Sequence, residues 1–161
     1  MRSNKKSKFG DCFEYLCQIK ELLSLKCKAQ SSKDFLKIEQ IDEALKVGLA
    51  QKVQFLMNKS RENRDKLSKK DFLNSAFALD VVKLSNAHIR YVAFWYFKAK
   101  IEDQTAVKCA NNKKNLTNLC MLYGLNQLYV DSISCYESGY FIDDLASIAH
   151  KEGTNFSEMI T

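Results

Sequence analysis

The run DVVKLSNAHIRYVAFWYF, residues 80–97, decides the fold. Val81, Leu84, His88, Tyr91, Val92 and Trp95 recur at helical steps, which places them on one side of a helix. The second half, Tyr91 to Phe97, is apolar all round, so this helix is expected to be central rather than half exposed. Its aromatic and β-branched content would also suit a buried strand. The helical period upstream and the absence of turn signals on either side favour the helix. A second run, NLTNLCMLYGLNQLY over 115–129, offers Leu116, Leu119, Cys120, Leu122, Tyr123 and Leu128 as a matching apolar surface, with Gly124 as a point of close packing.

Outward from these runs the chain reads as helix almost throughout. Its 161 residues contain no proline and only five glycines. Proline removes a backbone donor and clashes with the preceding helical turn, so its absence favours long uninterrupted helices. A first helix is expected from Asp11, with Phe13, Leu16, Cys17, Leu22, Leu23 and Cys27 on one face. Gln30 to Lys33 punctuates the chain. A second helix is expected from about Asp34 to about Leu67, on the stripe Phe35, Ile38, Ile41, Leu45, Leu49, Val53 and Leu56. Gly48 inside it suits either a close helix contact or a tolerated defect. Ser68 and Asp71 form a capping-box pattern for the third helix, whose start near Asn74 is the alternative. The fourth is expected from Glu102–Asp103 to about Val130, with a break at Asn111–Asn112. A short last helix on Phe141, Ile142, Leu145, Ile148 and Ala149 follows Ser138–Gly139. The fold class is therefore all-α: an antiparallel bundle of about four long helices plus a short C-terminal one. The expected organisation is a flexible basic N-terminus over 1–10, one helical bundle domain over 11–150 and a polar tail over 151–161.

Charge and cysteine usage limit the function classes. The net charge is +6, concentrated early: Arg2, Lys5, Lys6 and Lys8 open the chain, while residues 140–161 are acidic. The basic start, with the lysine-rich second helix, would attract nucleic acid or another anionic surface. A solvated terminus explains it as well, and no nucleic-acid partner is expected. No stretch approaches the ~18 apolar residues of a membrane span, and Phe9 to Lys20 is too polar for a secretory signal. The six cysteines (Cys12, Cys17, Cys27, Cys109, Cys120, Cys135) form no Cys-x-x-Cys pair, so they read as reduced, packed thiols. His88 and His150 are far apart in sequence, which makes a zinc site improbable. His88, on the aromatic helix, is the most tempting single residue; a hydrogen-bonded core histidine is the simpler reading. Tyr91, Phe94, Trp95, Tyr96 and Phe97 beside Lys98 and Lys100 would stack nucleobases if exposed, but at helical spacing they read as core or subunit interface.

The two runs resemble neighbouring helices of the C-terminal α-helical domain of peroxisomal acyl-CoA oxidases. The likeness covers roughly residues 35–142 and is best at 80–91 with Ala87–His88, at 118–123, and at Ser138 to Phe141. It implies a family in which FAD-dependent oxidation turns acyl-CoA into trans-2-enoyl-CoA and releases hydrogen peroxide, in peroxisomal fatty-acid β-oxidation. It also implies that the family's catalytic glutamate lies upstream of the matched segment. Glu39, Glu43 and Glu62 sit in no matching motif and take no such role. The sequence shows no glycine-rich phosphate loop. No catalytic, cofactor-binding or metal residue is therefore assigned, and whether the chain is an enzyme stays open. FAD belongs to the family and is not expected on this chain alone. The expected partners are copies of itself or full-length acyl-CoA oxidase subunits, met through apolar helix faces. The resemblance implies the peroxisome. Met159–Ile160–Thr161 does not resemble the Ser-Lys-Leu address, so the chain expressed alone is expected in the cytoplasm.

Overall fold

The computed structural model describes residues 11–29, 32–103 and 107–141. The basic N-terminus, the last helix expected on Phe141 to Ala149, His150 and the polar tail fall, apart from Phe141 itself, outside these residues. A 3-10 stretch, Asp11–Gln18, leads into α1, Ile19–Ser24. A second 3-10 turn, Ser32–Leu36, precedes α2, Ile38–Glu62. Then come α3, Lys69–Asp71, a π-helical turn, Phe72–Ala76, and α4, Ala78–Glu102. The chain continues in α5, Ala110–Val130, and α6, Ser132–Glu137. The described residues are all-α and contain no strand, as the helical periods predict.

The centre of the bundle is α2, not the aromatic helix. Ile41, Asp42, Ala44, Leu45, Val47, Gly48, Leu49 and Ala50 are all buried, so the first half of α2 is enclosed where the helix meets α1, α4, α5 and α6. Three of these eight are alanine or glycine, and small side chains let several neighbours approach one helix. In α4 only Ala87, Tyr91, Phe94 and Ile101 are buried. The expectation that α4 is central is overturned: Leu84, Trp95 and Phe97 pack half-buried against the core, while Leu79, Val82, Ile89 and Tyr96 face outward.

Contacts set the directions. Asp42 meets Lys98, whereas Lys52 shares a cleft with Lys83 and Ala87, so α2 and α4 are antiparallel. Gly124 meets Phe94, and Val130 lies in the same cleft as Lys83, so α4 and α5 are antiparallel too. At Gly124 three helices converge. A Cβ placed there would stand 2.5 Å from Ile41 Cγ2 and 2.8 Å from Phe94 Cε2, closer than atoms tolerate. Gly48 differs: a Cβ there meets Cys135 Sγ at 3.5 Å, an ordinary contact. The two aromatic-rich runs thus face each other, as their composition suggests.

Helix ends differ from expectation in ways that have local causes. α2 stops at Glu62 rather than near Leu67, because the apolar stripe is exhausted there. Asn63 closes it, its backbone N–H and side-chain amide both reaching Lys59 O (3.2 and 2.9 Å). Ser68 does cap the next element: its Oγ accepts from Asp71 N at 3.1 Å and donates to Asp71 Oδ2 at 2.6 Å. Immediately after, Phe77 N–H bonds to Phe72 O at 3.0 Å, five residues back, and the two rings lie 4.6 Å apart. That wider turn is a π-bulge. α5 begins at Ala110, so Asn111–Asn112 lie in its first turn and do not interrupt it. α6 ends in a Schellman motif: Gly139 has φ 66°, Tyr140 N–H bonds to Cys135 O at 2.9 Å and Gly139 N–H to Tyr136 O at 2.8 Å.

Candidate functional site

A cleft of about 410 Å³ opens where α2, α4 and the α5–α6 corner diverge. α2 contributes Lys52, Phe55 and Leu56; α4 contributes Asp80, Lys83, Asn86 and Arg90; the corner contributes Val130, Asp131, Ile133 and Glu137. Its floor is polar and already paired. Lys52 Nζ lies 2.7 Å from Asp131 Oδ1 and donates to the buried Ser134 Oγ. Such a floor joins α2 to α6 and leaves little for a ligand. A flavin dinucleotide brings two phosphate charges. Asp80, Asp131 and Glu137 line the cleft opposite Lys83, Arg90 and a Lys52 already committed to Asp131, so the charges balance, no net positive charge meets those phosphates, and these residues do not fit that group.

Three more polar clusters lie among the helices. Asp42 is buried on α2, with Oδ2 bound by Lys46 at 2.9 Å and by Lys98 at 3.3 Å. Its Oδ1 is buried and finds no hydrogen-bond donor among the described residues. The fully buried Tyr140 donates its hydroxyl proton to Glu43 Oε1 at 2.8 Å and accepts from Gln40 Nε2. Burial, and then the bond to Glu43, push the Tyr140 phenol well above its ordinary range, so it stays protonated. The backbone reinforces this anchor: Cys27 N–H reaches Tyr140 O at 3.0 Å and Lys26 Nζ reaches Gly139 O at 2.7 Å. The α6 end is thereby tied to the segment after α1.

His88 heads the fourth cluster. The half-buried ring stacks on Phe13 at 4.4 Å, and Nδ1 lies 2.9 Å from Tyr15 Oη. Tyr15 in turn meets Tyr91 edge-on at 5.7 Å. Burial holds the His88 imidazole below its ordinary value, which favours the neutral ring, and its Nδ1 shares a hydrogen bond with Tyr15 Oη. These contacts fasten the N-terminal stretch to α4 through His88.

The remaining sequence-selected residues fall in separate neighbourhoods. Glu43 serves Tyr140, Glu62 pairs with Lys59 at 2.8 Å, and Glu39 is exposed. Tyr91 and Phe94 are core, Trp95 and Phe97 are half-buried and Tyr96 is exposed. Lys98 is folded onto Asp42, so it does not stand beside that cluster as a free cation. Burial pushes the Cys120 thiol up to about 11 and the Cys135 thiol up to about 12, which keeps both protonated. Among the described residues, no group of three His, Cys, Asp or Glu side chains is placed to hold a metal ion, and no helix is long and apolar enough to cross a membrane. Sequence reasoning missed the Asp42 and Lys52 clusters. Asp42 carried a signal, since it neighbours Ile41 on a stripe otherwise apolar. The Lys52–Asp131–Ser134 contact, made between distant segments, carried none.

The same helical arrangement occurs in solved oxidases. Acyl-CoA oxidase 1 of Arabidopsis thaliana superposes with a TM-score of 0.78 at 20% identity, over 93% of this chain and 22% of that one. Acyl-CoA oxidase 3 of Yarrowia lipolytica gives 0.81 at 18% identity, over 97% and 22%. An acyl-CoA oxidase of Lycopersicon esculentum (tomato) gives 0.77 at 19%, over 97% and 23%. The chain thus spans between a fifth and a quarter of the length of these structures. Comparison with curated protein sequences finds no match. The family model for acyl-CoA oxidase matches residues 14–157, nearly the whole chain and both of its aromatic-rich helices. By that match, and with the fold agreeing, the chain belongs to the acyl-CoA oxidase family.

Proposed function

We propose that this chain is a supporting helical scaffold of the acyl-CoA oxidase architecture, corresponding to its C-terminal region, and does not oxidise acyl-CoA by itself. In the family's reaction acyl-CoA is oxidised to trans-2-enoyl-CoA while dioxygen is reduced to hydrogen peroxide. The flavin supplies that redox chemistry when bound. The observation carrying the proposal is how the polar side chains among the helices are used. Tyr140–Glu43, Lys98–Asp42, Lys52–Ser134 and Tyr15–His88 each fasten one segment of the bundle to another. Groups spent in this way stabilise a scaffold. The setting is peroxisomal fatty-acid oxidation, by kinship. The test is to purify the chain, record its visible absorption and assay peroxide with an acyl-CoA. Neither a flavin band nor substrate-dependent peroxide is expected, and either one overturns the proposal.

A second reading, that of an interaction module for full-length oxidase subunits, is favoured by the large apolar side chains α4 leaves exposed. Co-purification with such a subunit is the expected result. A strictly monomeric chain that captures none would end this reading.

A further inference from the structure

The far end of α2 and its connector to α4 differ from the rest of the bundle. From Gln51 to Phe77 only Phe72 is buried, although helix and turn continue almost without a break. This stretch lies beyond the core and adds little to it. Phe55, Met57 and Leu73 stand 42%, 41% and 38% exposed along it. Between Met57 and Leu73 the sequence holds six cations and three carboxylates, a surplus of +3. Two of those carboxylates are already engaged: Glu62 pairs with Lys59 at 2.8 Å, and Asp71 accepts from Ser68 Oγ at 2.6 Å. Arg61, Arg64, Lys66, Lys69 and Lys70 are all exposed, and none makes an ion pair among the described residues. The neighbouring cleft differs, because there Asp80, Asp131 and Glu137 balance Lys52, Lys83 and Arg90. The unbalanced charge belongs to the connector and the last turn of α2.

The mixture of side chains selects the kind of anionic partner. Protein interfaces are depleted in lysine and enriched in aromatic side chains. This stretch is rich in lysine, and its aromatic rings are occupied. Phe72 and Phe77 lie against each other at 4.6 Å, and Lys59 Nζ sits 5.9 Å over the Phe55 ring. A single-stranded nucleic acid needs open aromatic faces on which to stack its bases. What stays open is unbranched or aliphatic, Met57 and Leu73, set among free lysines and arginines. Arg61 follows Met57 by one turn on the same side of α2. Segments that lie at a bilayer surface have this composition: apolar side chains enter the boundary below the headgroups while Lys and Arg meet the phosphates.

We propose that this end of the bundle docks on an anionic phospholipid surface. Met57 and Leu73 enter the headgroup boundary, and Arg61, Arg64, Lys66, Lys69 and Lys70 contact lipid phosphates. With so few apolar side chains to insert, the attachment is peripheral and reversible, and its electrostatic part is screened by salt. The inference depends on neither the scaffold reading nor the interaction-module reading.

The experiment uses the full chain and vesicles of phosphatidylcholine, alone or mixed with phosphatidylserine. Co-sedimentation at low salt is expected to show about tenfold or more tighter binding to the mixed vesicles, a preference that falls with added salt. The triple variant Lys66→Glu, Lys69→Glu and Lys70→Glu should lose about tenfold or more of that binding. Leu73→Asp should weaken it while leaving the salt dependence in place. Leu73→Trp adds a depth reporter: brominated acyl chains should quench it, whereas the native chain, with Trp95 half-buried in the bundle, should be quenched little. All of these replace exposed side chains, and circular dichroism checks that the variants fold. Equal binding to the two kinds of vesicle, or no added quenching in Leu73→Trp, overturns the proposal. So does a triple variant that binds like the native chain, since the attraction then comes from elsewhere, such as Arg2 to Lys8. A DNA single strand or duplex that binds more tightly than the mixed vesicles, and loses that binding in the triple variant, overturns it as well and makes the surface a nucleic-acid site.

Discussion

α2 and α4 are the same length, 25 residues, and both carry apolar residues at three- and four-residue steps. The first half of α2 is enclosed, whereas α4 has an open side along its length. The enclosed helix has the smaller side chains where it is crowded: Ala44, Gly48 and Ala50 let neighbours close in from several directions. The open helix has the larger ones. Tyr91 and Phe94 fill the core, while Ile89 and Tyr96 project from it. Total hydrophobicity therefore does not identify the central helix. What identifies it is whether the side chains are small enough for other helices to surround it.

Truncating one isoleucine on each helix separates the two most strongly. Ile41 is fully buried at the meeting of α2, α4 and α5. Truncating it in Ile41→Ala should cost about 2–5 kcal/mol, the transfer term plus the cavity left behind. The same change at the exposed Ile89 should fall within about 0.5 kcal/mol of the native chain. Urea denaturation of the two variants, at unchanged slope, decides between an enclosed α2 and an enclosed α4. Equal losses would mean that α4 is as enclosed as α2.

A smaller effect, opposite in sign at two sites, sharpens the same picture. Gly124→Ala forces a methyl against Ile41 and Phe94 and should destabilise by about 1–3 kcal/mol. Gly48→Ala places its methyl in ordinary contact with Cys135 Sγ and removes a flexible residue from a helix interior. It should stabilise by about 0.5–1 kcal/mol. Thermal melts of the two variants should move in opposite directions.

These glycines also show how far the sequence could be read. Both lie within helical periods and both were open to a close-packing explanation; only the spatial neighbours distinguish them. Helix type was legible from period and from the lack of proline. The Ser68 cap was legible because its partner is three residues away. The π-turn was not, since two phenylalanines five residues apart belong to no regular period. Nor was the early end of α2, where polar residues of good helix propensity continue past the last side chain that has anything to bury. The cleft and the Lys52–Asp131–Ser134 floor were illegible for a different reason. They assemble three stretches of chain whose proximity depends on the directions of the long helices. The aromatic run did announce its kinship, while its degree of burial depended on neighbours elsewhere in the chain.

The mildest prediction concerns the joint between the N-terminal stretch and α4. His88 is held below its ordinary value of 6.5 by burial, so the folded chain binds that proton less readily than the unfolded chain does. When the unfolded state binds more protons, stability rises with pH. The contribution of a neutral His88 is thus fully present above pH 6.5 and is lost as the pH falls below it. Acidification should loosen the Phe13 and Tyr15 contacts with His88 while leaving the enclosed α2 intact. Hydrogen-exchange protection, corrected for the intrinsic pH dependence of amide exchange, should accordingly fall around residues 13–18 between neutral and mildly acidic pH, with little change over residues 41–50. His88→Gln, which does not titrate there, should remove that difference. If protection in both segments falls together, the joint is not a local element, and α4 transmits its loosening to the core.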